Sequence, residues 1–242
     1  MILLRSSIYF TLMVLSTIFF ALLIVVFFWS PHSWRSRFAN AWGITNLWLL
    51  KVICGLKYEI RGWENIPTGG CIFLAKHQSA WETISLRGLL PPNQIWVLKR
   101  ELMWVPFFGW ALYLVKAISI DRQAGRQAAK KIVADGAVHL KAGRNVVIFP
   151  EGTRVAPGQR KRYGIGGAFL AHETGYPVVP IAHNAGVFWR RRDLRKYPGT
   201  IQVVIGPVIE TNDLSSSEIN RKVEDWIEST METLPVSLAG KP

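Results

Sequence analysis

Cys71-Ile72-Phe73-Leu74-Ala75-Lys76-His77-Gln78-Ser79-Ala80-Trp81-Glu82-Thr83 joins five apolar residues to a run of polar and titratable ones. The first five read as a short buried strand. A helix is expected from Trp81 onward, which leaves the polar link at the strand's carboxyl end. A second stretch follows the same plan: Val146 to Phe149 is apolar, and Pro150-Glu151-Gly152-Thr153-Arg154 comes directly after it. In an open α/β sheet, ligands sit just beyond the carboxyl ends of the strands. If both runs belong to one parallel sheet, His77, Glu82, Glu151 and Arg154 meet on one rim.

Such a rim has the parts for proton transfer. Histidine titrates closest to working pH and suits the removal of a proton from a hydroxyl. A carboxylate on the other ring nitrogen fixes the tautomer and stabilises the imidazolium that forms. Glu82 lies five residues after His77 and reaches it if His77 is in a loop and Glu82 in the first helical turn. The spacing supports a second reading as well. Ser79-Ala80-Trp81-Glu82 has the form of a capping box, in which the Glu turns back onto a backbone amide. Residue spacing alone leaves both readings open. Arg154 and Arg122 each follow a predicted strand, where a guanidinium can grip a phosphate bidentately. Lys99 is a further phosphate candidate.

Along the rest of the chain, strands are predicted at 58–61, 71–75, 95–98, 117–120, 146–149, 178–182 and 201–205. Helices are predicted at 81–89, 122–142, 167–174 and 216–233. This alternation implies an α/β fold, with a largely parallel central sheet flanked by helices. Residues 8–29 are 22 residues without a formal charge. As a helix they would be about 33 Å long, enough to cross a hydrocarbon core of about 30 Å. A secretory signal would usually be shorter and end at a small-residue cleavage site. This run leaves through Trp29-Ser30-Pro31-His32, so it reads as an uncleaved anchor. A second helix is expected over 35–56, with Trp42 and Trp48 inside it and Trp34 just ahead. It either lies at the headgroup level or packs on the folded domain. The two helices make an N-terminal membrane-anchoring hairpin. Arg5 before the apolar run, against Arg35 and Arg37 after it, places the C-terminal side in the cytoplasm.

The chain has 29 Lys and Arg against 16 Asp and Glu, a formal net charge of +13, which calls for an anionic partner. With 11 Trp and an apolar N-terminus, that partner reads as a membrane surface, and no nucleic-acid motif is present to favour nucleic acid. Arg160-Lys161-Arg162 and Arg190-Arg191-Arg192 are either solvated surface, contacts for anionic headgroups, or docking points for an acidic carrier protein. Cys54 and Cys71 form no disulfide framework and have no zinc spacing, which suits a reducing compartment. The absence of a Gly-x-Ser-x-Gly elbow argues against an α/β-hydrolase.

His77-x-x-x-x-Glu82 and Phe149-Pro150-Glu151-Gly152-Thr153-Arg154 resemble the first and third motifs of the glycerolipid acyltransferases, and more narrowly of the bacterial 1-acyl-sn-glycerol-3-phosphate acyltransferases. Lys99-Arg100-Glu101-Leu102, with Pro106, Gly109 and Ile118-Ser119-Ile120-Asp121-Arg122, is similar to the second block. Val178-Val179-Pro180-Ile181-Ala182-His183-Asn184 resembles the fourth, and the likeness runs over residues 58–210. The family's first motif usually ends in Asp, where this chain has Glu82, one methylene longer.

The resemblance implies a general base at His77, oriented by Glu82, and a phosphate cradle from Glu151, Gly152, Thr153, Arg154 and Arg122. It implies residues 1–57 as anchoring helices and 58–242 as the acyltransferase domain. The implied reaction moves an acyl chain from acyl-CoA or acyl-carrier protein (acyl-ACP) to the sn-2 hydroxyl of lysophosphatidic acid, giving phosphatidic acid, with no metal and no cofactor. Expected partners are the phospholipid bilayer, lysophosphatidic acid and the thioester donor. The expected location is the inner (cytoplasmic) membrane, with the active domain on the cytoplasmic side. Alternatives are another acceptor, such as lyso-ornithine lipid or glycerol-3-phosphate, or a non-catalytic membrane lipid-binding protein.

Overall fold

A computed structural model describes residues 1–238. Seven strands form one sheet: β1 Leu56–Arg61, β2 Ile72–Ala75, β3 Gln94–Lys99, β4 Ile118–Ile120, β5 Asn145–Ile148, β6 Val178–His183 and β7 Gly199–Ile205. Their order is β1-β7-β6-β2-β5-β3-β4. Neighbours run parallel except β6 and β7, which pair antiparallel from Ile181↔Ile205 to His183↔Val203. The two strands that lead into the quoted motifs are direct neighbours, with Ile72 opposite Val146 and Leu74 opposite Ile148. Both are buried throughout, as strands covered on both faces must be.

One apolar layer lies between the sheet and helices α1 (Ile2–Val26), α2 (His32–Leu49) and α3 (Trp81–Leu89). The other lies beneath α5 (Arg126–Lys141), α6 (Gly166–Thr174) and α8 (Ser216–Thr233), with α4 (Phe108–Leu114) and α7 (Ala185–Phe188) as shorter connectors. The predicted second helix ends earlier than expected. A π-helical turn, Leu50–Cys54, and the left-handed Gly55 stop it, and Leu56 already belongs to β1. Helix α2 crosses α3 at a glycine pair. A Cβ on Gly43 would lie 2.5 Å from the Gly88 amide nitrogen, and one on Gly88 would lie 2.6 Å from that of Ile44. Such a close approach makes α2 part of the domain's own packing.

Helix α1 is the one described helix long and apolar enough to cross a membrane, by length and composition, yet it is fastened to the domain at both ends. Near its start, Tyr9 is fully buried against Trp189, and the Ser6 hydroxyl accepts from the Lys196 amide at 2.8 Å. Midway, the Trp42 indole donates to Thr17 Oγ1 at 3.1 Å. Toward its end, Ala21 and Ile24 pack on Ala111 and Val115 beside α4. The opposite side exposes Leu4, Ile8, Leu15, Phe19, Val26 and others, an apolar face that marks the helix as a membrane-association element. The predicted helix 122–142 is also divided. A 3-10 turn, Arg122–Ala124, comes first, and the helix proper begins after Gly125.

Candidate active site

His77 leaves the end of β2 in a loop whose backbone is tied down on several sides. Its amide donates to Glu151 Oε2 at 2.6 Å, and its carbonyl accepts from the Val155 amide at 2.8 Å. Nδ1 donates to Glu82 Oε1 at 2.8 Å, and the imidazole stacks on Phe149 at 4.2 Å between centroids. Glu82, fully buried in the first turn of α3, also accepts from the amides of Gln78 (2.8 Å) and Ser79 (2.7 Å) through the same oxygen. The two readings of this glutamate therefore hold together: it clasps the turn before the helix and orients the ring. The Ser79 half of the box is shifted, since its Oγ accepts from Trp81 and not from the N3 amide.

Burial alone would raise the Glu82 carboxyl, but His183, His77 and the Ser79 amide outweigh it and hold the group below its ordinary value. The glutamate stays ionised and keeps the His77 proton on Nδ1. That leaves Nε2 as the nitrogen free to take a proton. His183, at the end of β6, lies beneath this rim, its Nε2 4.0 Å from Glu82 Oε2. It is fully buried, its Nε2 donates to the Lys76 carbonyl at 2.8 Å, and Nδ1 accepts from the Ala185 amide. Burial lowers its proton affinity, in keeping with a neutral ring.

Glu151, expected among the substrate-binding residues, points into the interior. It is buried, and its Oε1 pairs with Lys76 Nζ at 2.8 Å. Lys76 in turn pairs with Glu228 of α8 at 2.7 Å, and Glu228 accepts from the Tyr163 hydroxyl at 2.8 Å. Arg160 Nε stands 3.7 Å from the other Glu228 oxygen, so the two carboxylates share the buried Lys76 and one solvent-facing cation. Burial lifts Glu151 to about 7, Lys76 and the His77 amide pull it back, and Glu228 adds to the rise. Glu151 thus holds the His77 backbone in place. Lys76, Glu228, Tyr163 and Phe149 were not singled out from the sequence as site residues. A lysine directly after an apolar strand was the available hint, because a buried ammonium requires a partner.

A cavity of about 530 Å³ opens over this floor. His77 and Phe149 line it below, and Thr153, Arg154, Arg122 and Lys99 line its mouth. Arg191 and Arg192 join them from the second basic cluster. The Arg122 guanidinium holds the Gly152 carbonyl, Arg191 donates to the Arg154 carbonyl at 3.2 Å, and Lys99 pairs with Glu101 at 2.8 Å. Gly152 shapes this loop at φ +64°. The remaining wall is largely apolar and reaches Phe20, Ala21 and Ile24 of α1 and Ala111 and Leu112 of α4. At the inner end stands Arg87, buried, with its guanidinium on the Gln94 carbonyl (2.8 Å) and the Ser36 hydroxyl (3.1 Å). Among the described residues, no group of three or more His, Cys, Asp or Glu is placed to hold a metal ion.

An imidazole–carboxylate pair thus stands at the end of a parallel strand, facing a cationic mouth and an apolar wall. The sequence profile of the family described as Acyltransferase matches residues 57–184, and the chain belongs to that family. A 1-acyl-sn-glycerol-3-phosphate acyltransferase from Pseudomonas aeruginosa is 48% identical over 205 residues, 83% of this chain and 79% of that one. The enzyme of that name from Cocos nucifera is 28% identical over 91% of this chain and 71% of its own length. The crystal structure of the 1-acyl-sn-glycerophosphate acyltransferase from Thermotoga maritima superposes with a TM-score of 0.81, covering 98% of both chains at 20% identity, and so shares the fold.

Proposed function

We propose that this protein transfers an acyl chain from acyl-CoA or acyl-ACP to the sn-2 hydroxyl of lysophosphatidic acid, giving phosphatidic acid. The observation that carries the reading is the His77–Glu82 pair on the floor of a cavity that also holds Arg154 and Arg122. Nε2 of His77 takes the hydroxyl proton, and the acceptor oxygen attacks the thioester carbonyl. The C–S bond breaks as the C–O bond forms, and the departing thiolate recovers the proton from the imidazolium. Glu82 stabilises that imidazolium and keeps the ring turned. Arg154 and Arg122 grip the phosphate, with Thr153 and Lys99 beside them. Holding both substrates in attack geometry supplies much of the acceleration, since proton transfer itself is worth about 10²–10⁴-fold.

The exposed apolar face of α1 keeps the site at a lipid surface, which favours an acceptor that resides in the bilayer over water-soluble glycerol-3-phosphate. Relatives named for 1-acyl-sn-glycerol-3-phosphate support the phosphate-bearing acceptor over lyso-ornithine lipid. Because α1 is fastened at both ends to one body, it lies within a single leaflet, its exposed face toward the acyl chains. The catalytic domain belongs on the cytoplasmic face of the inner membrane, a reducing compartment that suits the free thiols of Cys54 and Cys71. Purified full-length protein, given lysophosphatidic acid with each thioester in turn, is expected to form phosphatidic acid. Thioester hydrolysis without lipid product, or preference for another acceptor, would overturn the assignment.

A further inference from the structure

Residues 102–113 build an aromatic ridge that the chemistry above does not use. Trp104 is 70% exposed and Tyr113 73%, and Leu102, Val105, Phe107 and Trp110 are exposed with them. Trp110 and Tyr113, three residues apart, share one side of α4, and Phe107 stands directly ahead of the helix. The Phe107 and Trp110 rings meet edge to face at 5.2 Å. Single exposed apolar side chains are ordinary, but a contiguous run this aromatic marks a contact surface.

The ridge is closely packed at its base and strained at its apex. A Cβ on Gly109 would lie 2.1 Å from the Met103 carbonyl oxygen, so the helix is pressed onto the turn that carries Trp104. Phe107 sits at φ +61°, ψ −52°, with the Phe108 amide bonded to the Pro106 carbonyl at 2.6 Å. That is a γ-turn of the rare hand, a conformation L-residues avoid. The ring at its apex is exposed, so packing inside the protein does not offset the strain.

What covers the ridge follows from its neighbours. The inner side of α4 packs on Ala21 and Ile24 of α1. Arg35 Nε donates to the Leu114 carbonyl at 3.0 Å while the same guanidinium holds the Phe28 and Ser30 carbonyls. His32 Nε2 meets the Val115 carbonyl at 3.2 Å. The ridge is thereby bolted to the corner between α1 and α2, where Phe28, Trp29 and Trp34 are also exposed. Lys116 and Arg37 stand exposed nearby in sequence. Leu102, Phe108 and Leu112 of the same segment line the cavity.

We propose that Trp104, Phe107, Trp110 and Tyr113 form a second membrane-contact element, continuous with α1, that inserts at the headgroup boundary of a phospholipid bilayer and turns the cavity's apolar wall toward the lipid. The indole and phenol rings of Trp104, Trp110 and Tyr113 favour that depth, and Lys116 directly after α4 suits anionic headgroups. The assignment does not depend on which reaction the cavity performs.

The test uses full-length protein with Phe107→Cys or Trp110→Cys labelled with nitrobenzoxadiazole, and Lys222→Cys on α8 as reference. The native Cys54 and Cys71 are buried and remain unlabelled. On phosphatidylethanolamine–phosphatidylglycerol vesicles the ridge labels are expected to shift to the blue. A nitroxide placed high on the acyl chain should quench most of their emission, and aqueous iodide very little, the reverse of the Lys222 position. Phe107→Ser with Trp110→Ser should weaken vesicle binding roughly tenfold. Iodide quenching at the ridge equal to that of the reference, or unchanged vesicle binding, overturns the proposal. So does a blue shift in lipid-free protein that fades on dilution, which would assign the ridge to a second copy. The same labels in His77→Ala protein should give the same readings, so failure of the acyl-transfer reading leaves this test intact.

Discussion

His77 and Glu82 are held by amides, a carboxylate and an aromatic face, all out of water, whereas Lys99, Arg122, Arg191 and Arg192 stand at the cavity mouth in contact with solvent. The floor has one arrangement, because moving Glu82 Oε1 would leave the His77 ring and the Gln78 and Ser79 amides without their acceptor. The mouth has many, because exposed guanidinium and ammonium groups exchange water and counter-ions freely. A base must meet its hydroxyl within a few tenths of an ångström, while a headgroup can be gathered by a looser set of charges.

The comparison predicts a graded series. His77→Ala should lower kcat by about 10²–10⁴-fold with the fold and vesicle binding intact, read by steady-state kinetics and circular dichroism. Glu82→Gln should cost on the order of 10² in kcat with little change in KM, since orientation and imidazolium stabilisation are lost but binding is not. Glu82→Ala should in addition destabilise by about 1–3 kcal/mol in denaturant titrations, because two buried amides lose their acceptor. At the mouth, Arg154→Ala should raise KM for the lipid about tenfold and weaken its salt dependence while kcat changes less. Lys99→Ala is the smallest, with stability altered by under about 1 kcal/mol because its pair with Glu101 is exposed. An Arg154 variant that lost kcat as His77→Ala does would erase the distinction between floor and mouth.

Within the floor the two glutamates respond to pH with opposite sign. Glu82 is held below its ordinary value, so the stability it contributes is present above that value and disappears as pH falls through the lowered one. Glu151 is raised from 4.5 to about 7, so the folded state binds more protons over that interval and stability declines as pH rises across it. Melting temperatures of Glu151→Gln measured between those limits should show a flatter decline than the parent protein. An identical slope would mean that Glu151 is not the group that takes up the proton.

The floor was largely legible in the sequence because it is local. His77 and Glu82 lie in one strand–loop–helix unit, and the companion loop at 149–154 repeats the pattern on the neighbouring strand. What stayed hidden is long-range or aperiodic. Glu228 reaches Lys76 across 152 positions, a pairing that no spacing rule encodes. Helix α4, Phe-Gly-Trp-Ala-Leu-Tyr-Leu, has no polar side from which a helical period could be read. The reversal of β7 against β6 was equally silent, since alternation of buried and exposed residues carries no strand direction. Glu151 was placed on the right loop but with the wrong outlook, because a motif fixes the backbone and leaves the partner of each carboxylate to tertiary packing.

The clamping of α1 at head and heel also bears on the host membrane. A helix that crossed the bilayer would have to match its thickness, and a change in acyl length would tilt or bend it. A helix lying in one leaflet, as proposed above, would float with the body it is riveted to instead. The height of the His77 ring above the lipid then belongs to the protein, and the enzyme should work alike in thin and thick bilayers.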